Sequence, residues 1–154
     1  MIISFDLDDT LISKTHFPLE KQNWLQRFLK IEGVRFGTKA LFKALRSNNH
    51  HIYIYTTSYR SRFKIWLMFY TYGIPVDCII NQQLHIQRVL KKGKYISKFP
   101  LEFGIDIHID DALGVKIEGD RHGFQTIIIA PDDEQWQATI LNRIAIASFV
   151  SKND

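Results

Sequence analysis

The sequence predicts a single α/β domain in which a mainly parallel five-stranded sheet carries helices on both faces. Short runs of β-branched and aromatic residues alternate with segments that have apolar residues at helical spacing. Repeated strand–helix units of this kind imply parallel strands that are covered on both sides. A length of 154 residues and a hydrophobic content of 45% suit one domain with a substantial core. We therefore predict one domain over residues 1–154.

Each predicted element follows from a local pattern. The strands are the β-forming runs Met1–Phe5, His51–Thr56, Val76–Ile80, Ile105–Asp110 and Thr126–Ala130. The helices have apolar residues three and four apart, and they span Leu19 to about Ile31, Thr38 to about Arg46, about Arg60 to Tyr72, about Ala112 to Ile117, and a last segment that starts at Pro131. That last helix carries one apolar stripe, formed by Trp136, Ile140, Ile144 and Ala147.

Two acids follow the first predicted strand with one residue between them. Side chains two apart on an extended chain point the same way, so Asp6 and Asp8 should emerge together while Leu7 turns away. Neighbouring carboxylates repel each other unless a cation or a shared proton lies between them. Because ligands bind at the carboxyl ends of strands in parallel α/β sheets, this pair predicts a magnesium-dependent phosphate site.

Further polar residues lie at or near later strand ends. The second predicted strand ends in Thr56–Ser58, and the fourth ends in Asp110–Asp111. Four lysines lie between these two segments, namely Lys91, Lys92, Lys94 and Lys98. We favour Lys98 as a phosphate ligand because it directly precedes the turn Phe99–Pro100 that leads into the fourth strand. Lys94 is the alternative.

Acids, then a hydroxyl, then a lysine, then acids: this order resembles the haloacid dehalogenase-like (HAD) phosphohydrolase superfamily. The segment Asp6–Leu11 matches its D-x-D-x-T-L signature, Thr56 matches its apolar strand ending in Thr or Ser, and Asp110–Asp111 matches its paired aspartates. The resemblance extends from residue 2 to about residue 130. It implies a three-layer Rossmann-like fold with strand order 5-4-1-2-3, which places the first strand at the centre.

The resemblance also implies a reaction. Asp6 would be the nucleophile that forms an aspartyl-phosphate, and Asp8 would protonate the leaving alcohol and then deprotonate the attacking water. Asp6, Asp110 and the backbone carbonyl of Asp8 would bind Mg²⁺. Relatives that cleave carbon–halogen bonds lack an acid at position 8, and ion-pumping ATPases have threonine there. Aspartate therefore favours hydrolysis of a phosphomonoester or phosphoryl transfer.

The remaining motif residues would support this chemistry. Thr56, Thr57 and Lys98 would bind the phosphoryl oxygens. Thr10 and Asp111 would support the site without binding the metal directly, and Asp111 would orient a metal-bound water or Lys98. Many relatives carry a cap domain after the first motif or after the third strand. Both gaps are too short here for a full cap, so an open site is expected, or one covered by a partner subunit.

Two alternatives remain open from the sequence. One is a catalytically idle domain that binds a phosphorylated partner, and the other is a phosphotransferase with an acceptor other than water. A bacterial receiver domain is excluded, because its phosphorylated aspartate follows the third strand and its lysine comes last. The expected partner is a phosphorylated small molecule or macromolecule.

Composition narrows the setting of the protein. The net charge is +4 and the isoelectric point is about 9.2, which leaves nucleic acid open as a partner, although no nucleic-acid-binding module is recognisable. No apolar stretch approaches the roughly 20 residues of a membrane helix, and no signal-peptide pattern precedes the first strand. The lone cysteine, Cys78, permits no internal disulfide, so we expect a cytoplasmic protein.

The predicted helix from Arg60 is apolar around most of its circumference, which indicates core packing or a homodimer surface.

Overall fold

The computed structural model describes residues 1–13 and 15–150, and it confirms the predicted fold class. Residues 151–154 of the predicted domain lie outside the described part of the chain. The described strands are β1 (Ile2–Phe5), β2 (His51–Tyr55), β3 (Cys78–Ile80), β4 (Ile107–Asp110) and β5 (Gln125–Ile128). They form one sheet in which every pairing is parallel and the order is β3-β2-β1-β4-β5. This is the predicted 5-4-1-2-3 order, with β1 at the centre.

Helices cover both faces of the sheet. The described α-helices are α1 (Trp24–Phe28), α2 (Thr38–Ser47), α3 (Arg62–Thr71), α4 (Gln82–Arg88), α5 (Leu113–His122) and α6 (Trp136–Val150). The apolar residues of α2, α3 and α6 share one buried cluster with Ile3 and Phe5 of β1. On the opposite face, smaller clusters contain Leu84 of α4 and Val115 of α5. Two single-turn 3-10 helices, Leu90–Lys92 and Pro100–Phe103, lie between α4 and β4.

The alternation of β1 determines where its polar side chains point. Ile3 and Phe5 enter the larger cluster, so Ser4 points to the other face of the sheet. The backbone amide of Asp6 donates to the carbonyl of Ile109 at 2.8 Å, which continues the pairing with β4 beyond the end of β1. The Asp6 side chain therefore emerges on the same face as Ser4, at the carboxyl edge of the central strands.

The predicted helix from Leu19 to Ile31 is wrong in extent, because only Trp24–Phe28 is helical. The side chain of Asn23 accepts a hydrogen bond from the Gln26 amide, and the Gln26 side chain accepts one from the Asn23 amide, so this capping box starts the helix late. The helix cannot continue through Lys30, whose φ of 50° is left-handed. Leu19 instead pairs with Arg35 in an antiparallel bridge.

Arg35 anchors the end of the segment between β1 and α2. Its buried guanidinium donates to the backbone carbonyls of Pro131 at 3.0 Å and Asp133 at 2.9 Å, in the loop between β5 and α6. Its carbon Cζ lies 4.4 Å from the ring centroid of Phe17 and 4.6 Å from that of Trp136. The Arg35 side chain thus connects this segment to the loop between β5 and α6 and to the start of α6.

Two other helices differ from the prediction. No helix is predicted between β3 and β4, but Asn81 caps α4 there by accepting a hydrogen bond from the Leu84 amide at 3.2 Å. The sequence of α4 is mostly polar and has no clear apolar period, so this helix was not predicted. Helix α5 extends to His122, five residues beyond the predicted Ile117. The predicted stripe of α6 is confirmed, since Trp136, Ile140 and Ile144 are buried and Ala147 packs against the same cluster.

Helix α3 divides its apolar residues between two surroundings. Ile65, Met68 and Phe69 are buried in the core, as one of the two interpretations predicts. Phe63, Trp66 and Tyr70 stay exposed and form a stacked row, with ring centroids 5.8 Å and 4.8 Å apart. The homodimer surface therefore stays a prediction for this exposed row alone. No helix in residues 1–13 or 15–150 is long and apolar enough to cross a membrane.

Candidate active site

The site is built around Lys98, which lies between two buried acids from neighbouring strands. Its ammonium group contacts Asp6 Oδ1 and lies 2.7 Å from Asp110 Oδ2. All three side chains are at most one-tenth exposed. Asp6 follows β1 and Asp110 ends β4, so the pairing of the two central strands brings the acids together. Lys98 comes from the segment that covers the face on which Asp6 emerges.

The buried cluster holds two carboxyl groups, those of Asp6 and Asp110, but only one ammonium group, that of Lys98. Burial raises the pKa of Asp6 to about 7, and the Asp110 carboxylate adds to this rise, although the Lys98 ammonium opposes it. Burial also opposes ionisation of Asp110, but the His108 hydrogen bond and the Lys98 charge outweigh it and hold the pKa of Asp110 well below its usual range. Burial would lower the pKa of Lys98, yet the two carboxylates hold it above its ordinary value. One ammonium is shared by more than one carboxylate.

Asp111 adds a third carboxylate to the same place. Asp6, Asp110 and Asp111 each offer an oxygen, and these oxygens lie within 4.8 Å of one another. Thr10 donates to Asp111 Oδ1 at 3.0 Å, which orients that side chain. Burial and the charge of Asp110 raise the pKa of Asp111. An all-oxygen donor set with a shortage of positive charge fits Mg²⁺, which prefers carboxylate oxygens.

A buried polar chain behind Asp110 was not predicted from the sequence. His108 Nε2 lies 3.0 Å from Asp110 Oδ2, and Ser4 Oγ lies 2.7 Å from His108 Nδ1. Because a carboxylate only accepts, Nε2 carries the proton and donates to Asp110, and the Ser4 hydroxyl donates to Nδ1. Burial and the nearby Lys98 charge lower the pKa of His108 to about 4. A neutral imidazole therefore fixes the direction of the Asp110 carboxylate. The sequence gives one indication of this contact: side chains alternate along a strand, so His108 and Asp110, two residues apart on β4, lie on the same face of the sheet.

The backbone around Lys98 is held from two sides. Glu118 of α5 accepts hydrogen bonds from the Ser97 amide at 3.1 Å and from the Ser97 hydroxyl. On the other side, the ring nitrogen His85 Nε2 lies 3.1 Å from the backbone oxygen of Ile96, and the Tyr55 hydroxyl lies 2.6 Å from His85 Nδ1. None of these contacts has a local sequence pattern, because each joins residues distant along the chain.

The two predicted phosphate-binding threonines are placed differently. Thr56 is buried, and its hydroxyl accepts a hydrogen bond from the Ser58 amide at 3.0 Å. Thr57 is exposed, and its side chain lines the cleft that also contains Asp6 and Lys98. Thr57 follows Tyr55 by two residues, which puts it on the sheet face that carries the site. The cleft has a volume of about 450 Å³.

Asp8 lies outside this cleft, with a partner of its own. Arg60 Nη1 lies 2.9 Å from Asp8 Oδ1, and the same guanidinium makes two 2.8 Å contacts with the carboxylate of Glu32. Hydrogen bonding to Glu32 raises the pKa of Arg60 further above its already high value. Arg60 also donates to Ser58 at 2.7 Å. The expectation that the Asp6 and Asp8 side chains emerge together around one cation is therefore wrong: their cationic partners are different, Lys98 and Arg60. The regular strand ends at Phe5, so the strand alternation does not extend to Asp8.

A second cavity begins at Asp8. It has a volume of about 610 Å³, and its walls come from Arg60 and from the segment that includes α1. Asp6 and Asp8, which are separated by one residue, therefore line two different cavities, the smaller lined by acids and Lys98 and the larger by the segment before α2.

No protein-family model matches this chain, and no curated protein matches its sequence significantly. The chemistry of the site is therefore inferred from its own residues.

Proposed function

We propose that the protein is a magnesium-dependent phosphomonoester hydrolase of the HAD type that acts through an aspartyl-phosphate. The observation that carries this proposal is the buried Lys98 ammonium between Asp6 and Asp110 at the edge of the central strands. A nucleophilic carboxylate beside a fixed cation suits attack on a phosphoryl group, whose oxygens are negative.

The proposed reaction has two displacements. Asp6 attacks phosphorus, so that a bond from its carboxylate oxygen forms while the bond to the alcohol oxygen breaks and Asp8 gives that oxygen a proton. Water then attacks phosphorus and gives its proton to Asp8, and the bond to Asp6 breaks to release inorganic phosphate. Lys98 neutralises phosphoryl oxygen charge in both steps.

The metal would be held by Asp6, Asp110 and the backbone carbonyl of Asp8, with Asp111 close enough to join or orient them. When bound, Mg²⁺ supplies positive charge that favours ionised Asp6 and offsets the charge of the phosphate. His108 and Ala112 hold Asp110 in place, because His108 donates to Oδ2 and the Ala112 amide donates to Oδ1 at 2.9 Å.

The direct test is a panel of phosphomonoesters assayed with and without Mg²⁺, using wild-type protein, Asp6→Asn and Asp120→Asn. The change at Asp6 removes the nucleophilic charge and should lower kcat/KM by roughly 1000-fold or more, about 4 kcal/mol in the barrier. Asp120 is the matched control, because it is exposed on α5 and lines neither cavity. Its partner is Lys116 at 2.9 Å, so Asp120→Asn should stay within a few-fold of wild type.

Three outcomes separate the alternatives. Turnover that needs Mg²⁺ and Asp6 supports the hydrolase. Phosphate binding to wild-type protein without turnover of any ester supports the idle domain. Turnover that rises when an alcohol acceptor is added, with transfer of the phosphoryl group to it, supports a phosphotransferase.

A further inference from the structure

The larger cavity lies on the side from which a leaving alcohol would depart. In the proposed reaction Asp8 protonates that alcohol, and Asp8 lines the cavity of about 610 Å³. Asp6, which would hold the phosphoryl group, lines the other cleft. The body of the alcohol therefore has to lie against Asp8 and extend into this cavity. The volume lies within the range of pockets that enclose small organic ligands, roughly 300–1,000 Å³.

The charges that line this cavity are only partly paired. Asp9 pairs with His16, and Arg60 is shared by Glu32 and Asp8. Two further cations line the wall, Arg27 and Lys30. Within residues 1–13 and 15–150, neither of these forms an ion pair with a carboxylate.

The two cations are placed by the local backbone. Arg27 Nη2 donates to the carbonyl of Gln22 at 3.0 Å, which leaves other guanidinium donors available. Lys30 has a left-handed backbone with φ of 50°, a conformation that glycine or asparagine adopts at lower cost. Lys30 lines the cavity despite that cost. Part of the wall is apolar, since Ile12, Leu19 and Ile31 also line it.

We propose that this cavity selects phosphomonoesters whose alcohol carries a second anionic group, a carboxylate or another phosphate, on a short carbon skeleton. This inference rests on the proposed function. The skeleton lies against the apolar part of the wall, while Arg27 and Lys30 bind the second anion. A guanidinium and an ammonium both bind carboxylate and phosphate, so the two sources share one chemistry. An alcohol that carries an ammonium group is repelled by the same pair.

The test compares matched substrates that differ in the second anion alone. The kcat/KM values of glycerol phosphate and phosphoglycerate are compared to measure the effect of a carboxylate. Those of a hexose monophosphate and the corresponding hexose bisphosphate are compared to measure the effect of a second phosphate. Ethanolamine phosphate represents the cationic alcohol, and p-nitrophenyl phosphate serves as the uncharged reference. We expect kcat/KM to be at least tenfold higher for one of the substrates with a second anion than for its partner, mainly through a lower KM.

Variants connect that preference to the two cations. Arg27→Gln and Lys30→Asn should each reduce the preference at least several-fold, and asparagine suits the left-handed backbone at position 30, so that variant keeps the fold. Lys43→Met removes an exposed lysine of α2 and should keep the wild-type preference. Added salt should weaken the preference as well.

The outcomes are distinguishable from those for the proposed function. If wild-type protein with Mg²⁺ fails to hydrolyse every ester including p-nitrophenyl phosphate, the proposed function fails. If it hydrolyses p-nitrophenyl phosphate but shows no preference for a second anion, or a preference that both cavity variants retain, this inference is overturned while the hydrolase stands.

Discussion

The Tyr55 hydroxyl accepts a hydrogen bond from the backbone amide of Phe99 at 2.9 Å, which joins the end of β2 to the residue directly after Lys98. Tyr55 is buried, and its hydroxyl also contacts His85 Nδ1. Since His85 Nε2 faces the Ile96 carbonyl, which only accepts, Nε2 carries the proton and Tyr55 donates to Nδ1. The phenol therefore positions the lysine of the site through its backbone.

Tyr55→Phe tests this positioning role. It leaves the Phe99 amide and His85 Nδ1 buried without their partner, which should lower the free energy of unfolding by about 1–3 kcal/mol. Activity should fall as well, because the Lys98 backbone loses a constraint. Urea unfolding and steady-state kinetics measure the two effects. Tyr53→Phe makes the same change two residues earlier on β2 and should reduce both the free energy of unfolding and the activity by less. Equal losses in the two variants would contradict the role given to Tyr55.

Lys98 and Lys94 make different contacts, so the choice between them is testable. Lys98 is buried between two acids, whereas Lys94 is exposed, with its ammonium 3.8 Å from the ring centroid of Phe99. Lys98→Met should lower kcat/KM by at least 100-fold, about 2.7 kcal/mol. Lys94→Met should stay near wild type in the same assay. The reverse result would mean that the lysine motif lies four residues earlier.

The buried imidazole of His108 should make stability depend on pH. In the unfolded chain this group takes up a proton near pH 6.5, but in the folded protein its pKa is lowered to about 4. At this group the folded state therefore binds fewer protons between these values, so the contribution of His108 to stability is complete above about pH 6.5 and is lost as the pH decreases toward 4. The raised pKa of Asp6 has the opposite effect over the same range, so the contribution of His108 is measured as a difference between wild type and a His108 variant. The difference corresponds to at most ~3 kcal/mol.

Denaturant unfolding of wild-type protein and of His108→Gln at about pH 7 and about pH 5 measures this loss. His108→Gln keeps an amide donor for Asp110 but has no titrating group there, so its stability relative to wild type should be higher at about pH 5 than at about pH 7. Ser4→Ala, which removes the hydroxyl bonded to Nδ1, should lower stability by a similar amount at both. A His108→Gln variant with the wild-type pH dependence would assign the loss to other groups.

Arg35→Lys should destabilise the fold although the charge is kept. A lysine cannot reproduce the planar group between Phe17 and Trp136 or reach both loop carbonyls that Arg35 binds. We expect a loss of about 2 kcal/mol in the free energy of unfolding. Arg62→Lys, at an exposed position on α3, is the control and should change stability by less than about 0.5 kcal/mol. Similar melting curves for the two variants would show that Arg35 is not an anchor.

The sequence could predict those parts of the fold and site that depend on hydrophobic periodicity and on the order of the motifs along the chain. Strand runs predicted the sheet, and Asp6 and Asp110 were predictable as neighbours because both follow strands at one edge. Lys98 could be favoured by its place before Phe99–Pro100. The extent of α1 could not be predicted, because helical spacing does not show whether a face is covered: Trp24 and Phe28 stay about three-quarters exposed.

Contacts across long stretches of chain had no sequence pattern. The pairing of Arg60 with Glu32 joins residues 28 apart, and that of Ser4 with His108 joins residues 104 apart. A lone histidine in a strand is equally consistent with simple burial. Such residues become recognisable only when the sheet register places them next to a motif residue.

The segment between β1 and α2 is closed by backbone hydrogen bonds between its two ends. The Arg35 amide donates to the Leu11 carbonyl at 2.7 Å, and the Glu20 amide donates to the Val34 carbonyl at 2.8 Å, so the two ends are closed on each other at its base. The middle of the segment forms the cavity wall and contributes neither Asp6 nor Asp110. Glu32 has to be kept, because it pairs with Arg60, the partner of Asp8. A different loop grafted between Glu20 and Ile31 is accordingly a practical route to redesigning substrate choice.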